Sequence, residues 1–457
     1  MDPAPANTDS RPPPAHVPLA TEPLGILGSL KAARSNLLSI LPEIAVRQPM
    51  VSGQTGIRWH MIMDPDAIRR VLLENVDNYP KSKTTKNILR PAIGDSLFVA
   101  EGAHWRWQRR AAAPVFSQRN MLALAPVMSA AAGRSADRIA TTGDRPTDFL
   151  QEMVRTTFDV ISDVTFSGDG TFDAEAVHRA IDLYIDEAAK VSLLDMLGIP
   201  DWVPRPARLF TGKAVGQMKA VADEAIEARR NRGPGGVPDL LDLLMAGEDP
   251  ETAKAMNTSE LRDNLLTFIV AGHETTALTL AWSLYLCAYD PDVQARARAE
   301  AQSVMQGDTA TGEEAARMPL IRQIVDEALR LYPPAGILSR TAQAPDVLCA
   351  RDIRAGDTVM IPIYALHRNH MLWDNPNAFD PSRFEDRKSV ERYAYLPFGD
   401  GPRICIGASF AIQEAVIILA TLLARFRFDL VQGRDPEPVM ILTLRPDTGV
   451  WLTAKAL

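Results

Sequence analysis

Chemistry is concentrated in the run Phe398-Gly399-Asp400-Gly401-Pro402-Arg403-Ile404-Cys405-Ile406-Gly407. It sets one cysteine in a Gly-rich loop, two residues after an arginine, where an apolar helix over roughly Gly407 to Leu423 is expected to begin. Cysteine ligates a metal only as the thiolate, and its pKa falls at a helix N-terminus and beside cationic groups. The free N–H groups of the first helical turn would point back at the sulfur, stabilise its charge and tune a bound metal. Gly401 and Gly407 would permit turns and close approaches that a Cβ would block. Arg403 carries a fixed positive charge suited to a carboxylate. The plainer alternative is a Gly-rich turn around one buried structural cysteine.

The run resembles the haem-binding signature FGxGxRxCxG of the cytochrome P450 superfamily, and it fills every fixed position. The resemblance implies that Cys405 is the axial ligand of haem b (iron protoporphyrin IX). It implies that Arg403 binds a haem propionate, and that Phe398, Gly399 and Gly407 lie against the cofactor. Thiolate ligation pushes electron density onto iron and favours O–O cleavage. The implied fold is mainly α: a single large helical domain with small β-sheets, the haem between a long central helix and the cysteine-loop helix. Residues 24–457 would form that domain. Residues 1–23, rich in Pro and Ala, read as a disordered leader.

A second chemical stretch is Ala271-Gly272-His273-Glu274-Thr275-Thr276. Gly272 costs a helix interior about 1 kcal/mol relative to alanine, and the threonines add strain. Such a cost points to a groove where something approaches the backbone, and an interrupted helix ladder is a frequent mark of function. The stretch is similar to the family's oxygen-activation motif A-G-x-[D/E]-T. By that resemblance Thr275 would hydrogen-bond bound oxygen, Glu274 would relay protons, and Ala271 and Gly272 would leave space against the cofactor. The motif allows any residue at His273, which is expected to pack or hydrogen-bond rather than ligate.

Charged residues with other duties follow. Glu327 and Arg330 share a helix face, a pattern uninformative alone. With Arg383 in a PxRF-like segment (Pro381 to Phe384), the resemblance implies a buried charge network that holds the coil delivering Cys405. Trp105 and Arg109 lie one helical turn apart and match the family's W-x-x-x-R pattern. Arg340, ten residues past Arg330, matches another propionate-binding arginine. Arg106 and Arg110 are expected to face outward, where an acidic redox partner could dock. Pocket-lining residues by analogy are Phe268, Ala271, Ala335, Ile337, Leu338 and Ile441, with contributions from the loop 81–102 and the segment near Leu193–Trp202. Most are apolar, as a water-excluding pocket requires.

The elements that position these residues can be outlined from pattern. Helices are expected over about 27–46, 65–74, 103–113, much of 146–245, from Asn257 to about Tyr289, from Pro291, and over 319–332. Asn257 with Glu260 forms a capping-box signal for the long helix, which would span about 45 Å. Strands are expected at 51–52, 57–63, 337–341, 347–350 and 358–362, with a turn at 53–56. Residues 439–444 and 449–454 look like a final strand pair. The stretch 81–102 loses regularity, as a functional loop would.

The chain has 457 residues, a net charge of −8 and 46% hydrophobic content, ample for a large core. Aromatics are few at 6%, so aliphatics and methionine are expected to fill it. There is no long basic run, which argues against nucleic acid as a partner. Cys287, Cys349 and Cys405 form no disulfide framework, so a reducing cytoplasm is expected. The leader contains no apolar stretch long enough for a signal peptide, and the apolar run 265–289 is broken by His273 and Glu274. No membrane anchor is therefore expected, and a monomer is.

Together these features, with the resemblance, imply a haem-thiolate monooxygenase inserting one atom of dioxygen into an apolar substrate by hydroxylation or epoxidation. No flavin or iron–sulfur module follows the last family feature. Electrons are therefore expected from NAD(P)H through a ferredoxin or flavodoxin and its reductase. Two alternatives stand beside this reading: a peroxygenase or isomerase on the same scaffold, and a non-catalytic haem sensor. Both could dispense with the Glu274–Thr275 pair. His367-Arg368, Leu372-Trp373, Tyr332-Pro333-Pro334 and the Trp105 helix resemble membrane-associated and fatty-acid-oxidising members, which favours an extended apolar substrate.

Overall fold

The computed structural model describes residues 12–22, 24–55, 57–166, 206–233 and 238–457. The segment near Leu193–Trp202 and most of the expected leader lie outside them. Helices dominate, accompanied among the described residues by four small sheets.

The central helix, Thr258–Tyr289, has 32 residues. It begins where the sequence signals it. The Asn257 side chain accepts from the Glu260 amide at 3.0 Å, and the Glu260 carboxylate accepts from the Asn257 amide at 3.0 Å, so two orphan donors are satisfied reciprocally. From Thr276 to Ala288 every residue is buried and most are apolar, as a helix segment surrounded by protein must be. It packs most extensively against the helix Phe149–Phe166 and also against the cysteine helix, Ala408–Arg425. Near its C-terminus Trp282 stacks on Tyr332 with ring centroids 3.8 Å apart.

The helix is not interrupted at Gly272. Instead its hydroxyls bond back one turn: Thr275 to the Ala271 carbonyl at 2.7 Å, Thr279 to Thr275 at 2.8 Å and Ser283 to Thr279 at 2.7 Å. Back-bonding of this kind satisfies a hydroxyl without leaving the helix.

Several other expectations need correction. The helix expected over 27–46 ends at Ser35 and gives way to two short turns. Asn36 takes its side chain away to cap Leu38 at 3.1 Å, and Pro42 supplies no donor. The expected loop 81–102 contains a helix, Lys83–Ile93, started by Ser82, whose hydroxyl accepts from the Thr85 amide at 3.3 Å. Gly53 is not in a turn. It lies in strand β1 (Met50–Thr55), directly opposite Trp59 of β2 (Ile57–Ile62).

Sheet topology shows what local pattern could not. The largest sheet runs β1-β2-β7-β4, with β7 at Thr358–Ile361 and β4 at Leu338–Thr341. β2 and β7 pair in parallel although some 300 residues separate them. The final strand pair does not form as expected. Strand β9 (Pro438–Met440) pairs with β10 (Leu444–Pro446), whereas β11 (Trp451–Ala456) pairs with β8 (Phe426–Leu430) and β3 (Thr147–Asp148). Residues 441–443 are therefore the tip of a tight β9–β10 hairpin.

One described helix, Ala408–Arg425, is long and apolar enough to cross a membrane, but two-thirds of it (67%) is buried within the protein.

Candidate haem and oxygen site

The cysteine loop folds because its backbone closes on itself. The Cys405 amide donates to the Phe398 carbonyl at 2.9 Å, and the Gly399 amide to the Leu396 carbonyl at 3.0 Å. Gly399 and Gly401 have φ of 69° and 71°, the left-handed region that glycine alone enters freely. A Cβ on Gly401 would also lie 2.0 Å from the Leu72 carbonyl oxygen. Gly407 is different: its φ is −89°, and a Cβ there would make only ordinary contact, 3.9 Å from Phe116. The close approach expected at Gly407 is thus not required by any protein neighbour.

Cys405 stands on the wall of a cavity of about 620 Å³. The central helix supplies one side through Ala271, Gly272, Thr275, Thr276 and Thr279, and Phe398, Gly399 and Gly407 supply the cysteine side. Phe268, Ala335, Ile337, Leu338 and Ile441 also line it. Sequence reasoning missed Leu97 and Phe98 as individual wall residues, and the early residues Leu37 and Ile40, which arrive from the far end of the chain.

The environment of the sulfur departs from expectation. Burial pushes the Cys405 thiol up from its ordinary range, while the Gly407 amide, Arg109 and Lys81 act in the opposite direction. Helix end and cations therefore moderate the cost of a thiolate without overcoming it. A bound metal ion would supply the remaining stabilisation, because a coordinating thiol is deprotonated outright.

Four cations reach the same cavity: Lys81, Arg109, Arg340 and Arg403. Arg340 is buried, its guanidinium donating to the Ser339 carbonyl at 3.1 Å, and burial pushes it down to about 10. Burial also drives Lys81 well below its ordinary value, with Arg340 and Arg403 adding repulsion. Arg403 is paired with Glu101, donates to the Ala100 carbonyl at 3.1 Å and lies 4.4 Å over the Trp105 ring. Glu101 also receives the Lys81 backbone amide at 3.1 Å and Lys86 at 3.8 Å. The site thus gathers more positive charge than Glu101 balances. Lys81 and Glu101 were not singled out from the sequence, since an isolated Lys or Glu in a loop carries no motif.

A haem fits this arrangement. The cavity offers one sulfur donor, small residues from the central helix, and four cations, of which Arg403 is paired with Glu101, enough for two propionates. No cluster of three or more His, Cys, Asp or Glu that could hold a metal ion by itself occurs among the described residues.

Glu327, Arg330 and Arg383 are brought together behind the loop. Arg330 is fully buried and bidentate to Glu327 at 2.6 and 2.7 Å. It also donates to the carbonyls of His367, Pro376 and Ala378 at 2.8, 2.7 and 2.9 Å. Arg383 approaches Glu327 more loosely, at 3.5 Å. His367 extends the network. Its Nδ1 lies 3.1 Å from the Arg330 carbonyl, and its Nε2 accepts from the Leu396 amide at 2.9 Å. The charge pair is thereby tied to the start of the cysteine loop.

Glu274 and Thr275 point to different surroundings. Thr275 lines the cavity, whereas Glu274 lies off its wall and accepts from the Thr443 hydroxyl at 2.9 Å. His273 is buried, its Nδ1 2.9 Å from the Ile269 carbonyl and its ring edge-on to Phe158. Of the two arginines expected to face outward, Arg106 pairs with exposed Asp77 at 2.9 Å. Arg110 instead grips buried Asp249 through two bonds of 2.7 and 2.8 Å and meets Glu251 at 3.2 Å. Its charge is therefore paired within the chain.

A model of the family described as cytochrome P450 matches residues 22–453. The chain belongs to this family. Among curated relatives, cyclooctatin synthase of Streptomyces melanosporofaciens is 32% identical over 414 residues, covering 90% of this cytochrome P450 and 90% of that protein. Cytokinin hydroxylase of Arabidopsis thaliana is 29% identical over 436 residues, covering 92% and 85%. The crystal structure of the cytochrome P450DA heme domain superposes with a TM-score of 0.79 at 29% identity, covering 90% of each chain. This P450 is accordingly a haem protein and a monooxygenase.

Proposed function

We propose that this P450 oxidises an extended apolar substrate seated in the cavity between the central helix and the β9–β10 hairpin. Cys405 would hold the haem iron and Arg109, Arg340, Arg403 and Lys81 its propionates. The bound haem supplies oxygen binding and activation. Thr275 lies on the cavity wall with its hydroxyl proton donated to the Ala271 carbonyl at 2.7 Å, so its oxygen would accept a hydrogen bond from a group bound there. Glu274, set behind it, passes protons inward from solvent. The apolar wall excludes water, so protons arrive through these two groups rather than at random. The electrons would come from NAD(P)H through separate redox proteins.

The observation that supports this reading is that Cys405, the central-helix residues Ala271, Gly272 and Thr275, and the four cations Lys81, Arg109, Arg340 and Arg403 all line one cavity. In the haem-loaded, reduced protein, carbon monoxide should give the absorption band of a thiolate-bound adduct. Cys405→Ser should abolish it while leaving the helical circular dichroism in place. A normal band in that variant would refute the assignment of the ligand.

A further inference from the structure

Thr443 belongs to no motif, yet it is the residue whose hydroxyl donates to the Glu274 carboxylate, at 2.9 Å. The bond is part-buried: Thr443 is 9% exposed, and Glu274 is half-buried. The bond joins two elements 169 residues apart in sequence, and the geometry that makes it is set by the hairpin. Pairing of Met440 with Leu444 leaves Ile441, Leu442 and Thr443 as a three-residue tip. Ile441 and Leu442 line the cavity, while Thr443 does not and turns to the helix.

The tip is held at its base by hydrogen bonds to two separate segments. The Leu444 amide donates to the Pro334 carbonyl at 2.9 Å. The Asn36 side chain accepts from the Met440 amide at 3.1 Å and donates to the Pro438 carbonyl at 3.0 Å. A Cβ on Gly336 would press on Met440. A tip so braced presents its hydroxyl at a fixed place, and a hydrogen bond to a carboxylate is directional and stronger than a neutral one. Glu274 itself sits on the central helix, and Thr443 supplies its carboxylate with a partner from outside that helix.

We propose that Thr443 is a positioning residue for the Glu274 proton relay, orienting its carboxylate from the same hairpin tip whose neighbours Ile441 and Leu442 wall the cavity. The inference rests on the reading of Glu274 given above. Thr443 does not touch oxygen or substrate. It restricts the rotamers of the acid, and proton delivery is efficient only when the acid points along its path.

The test compares Thr443→Val, which keeps shape and removes the donor, with Thr443→Ser, which keeps the donor, and with Glu274→Gln. All are haem-loaded full-length protein, reduced by a surrogate ferredoxin pair with NADPH and no added substrate. The infrared band of Glu274, identified by its loss in Glu274→Gln, should shift in Thr443→Val and stay in place in Thr443→Ser. NADPH-driven oxygen consumption should fall roughly threefold to tenfold in Thr443→Val, with a larger solvent deuterium isotope effect. Thr443→Ser should recover most of the rate. An unshifted band in Thr443→Val, or an equal loss in Thr443→Ser, would overturn the positioning role. If Glu274→Gln itself keeps the wild-type rate and isotope effect, the relay reading fails instead. If it loses both while Thr443→Val keeps both, only the inference about Thr443 fails.

Discussion

At the scale of single residues, the site is governed by burial more than by formal charge. The Cys405 thiol is pushed up despite a helix end and two cations, because the cost of removing its charge from water exceeds what those groups return. The same holds for Glu414 on the cysteine helix, whose fully buried carboxyl is driven well above its ordinary range. Backbone conformation is the other single-residue constraint. Gly401→Ala meets both a φ of 71° and the Leu72 carbonyl at 2.0 Å. It should cost several kcal/mol, about 3 or more, by combining strain with a steric overlap. Gly407→Ala, which has neither problem toward protein atoms, should cost about 1 kcal/mol or less. Chemical unfolding of the two variants checks this; equal losses would show that the loop tolerates what its geometry forbids.

Between elements, the charge pair Glu327–Arg330 links one helix, Pro319–Leu331, to the coil carrying the cysteine loop. The helix alone predicts only that the two residues share a face. Their function depends on carbonyls at positions 367, 376 and 378, whose arrival no local pattern announces. Glu327→Ala would leave Arg330, which is 0% exposed, with a buried uncompensated charge. The expected loss is about 3–5 kcal/mol, with poor haem retention because the loop loses its anchor. Urea unfolding and the haem-to-protein absorbance ratio check it. A variant of wild-type stability would mean that water enters and solvates Arg330.

Across the whole molecule, burial of His367 gives stability a pH dependence. Burial, then the neighbouring Arg330 charge, lowers its pKa from 6.5 to about 3. Between those values the unfolded chain binds a proton that the folded chain refuses. Stability therefore rises with pH across that window, and the contribution is lost as pH falls below about 6.5. Complete loss corresponds to roughly 4–5 kcal/mol, an upper bound for one group. His367→Gln, able to accept from Leu396 and donate to Arg330, should flatten the pH dependence of the melting temperature between pH 7 and 5. An unchanged slope would assign acid sensitivity to other groups.

What the sequence determined was the set of chemically specified positions and the elements with strong local signals. The Gly-rich cysteine loop, the Asn257–Glu260 cap and the long apolar helix are written in adjacent residues, and their backbone geometry follows from those residues alone. What only the tertiary structure decided was every relation across the chain. These are the parallel pairing of β2 with β7, the partner of β11, the tie of Arg110 to Asp249, and the meeting of Thr443 with Glu274. Lys81 carries no signal in sequence, yet it shares one cavity with Arg340 and Arg403. Such contacts depend on where packed elements cross, which is settled by the burial of apolar faces over the whole molecule and not by any window of neighbouring residues.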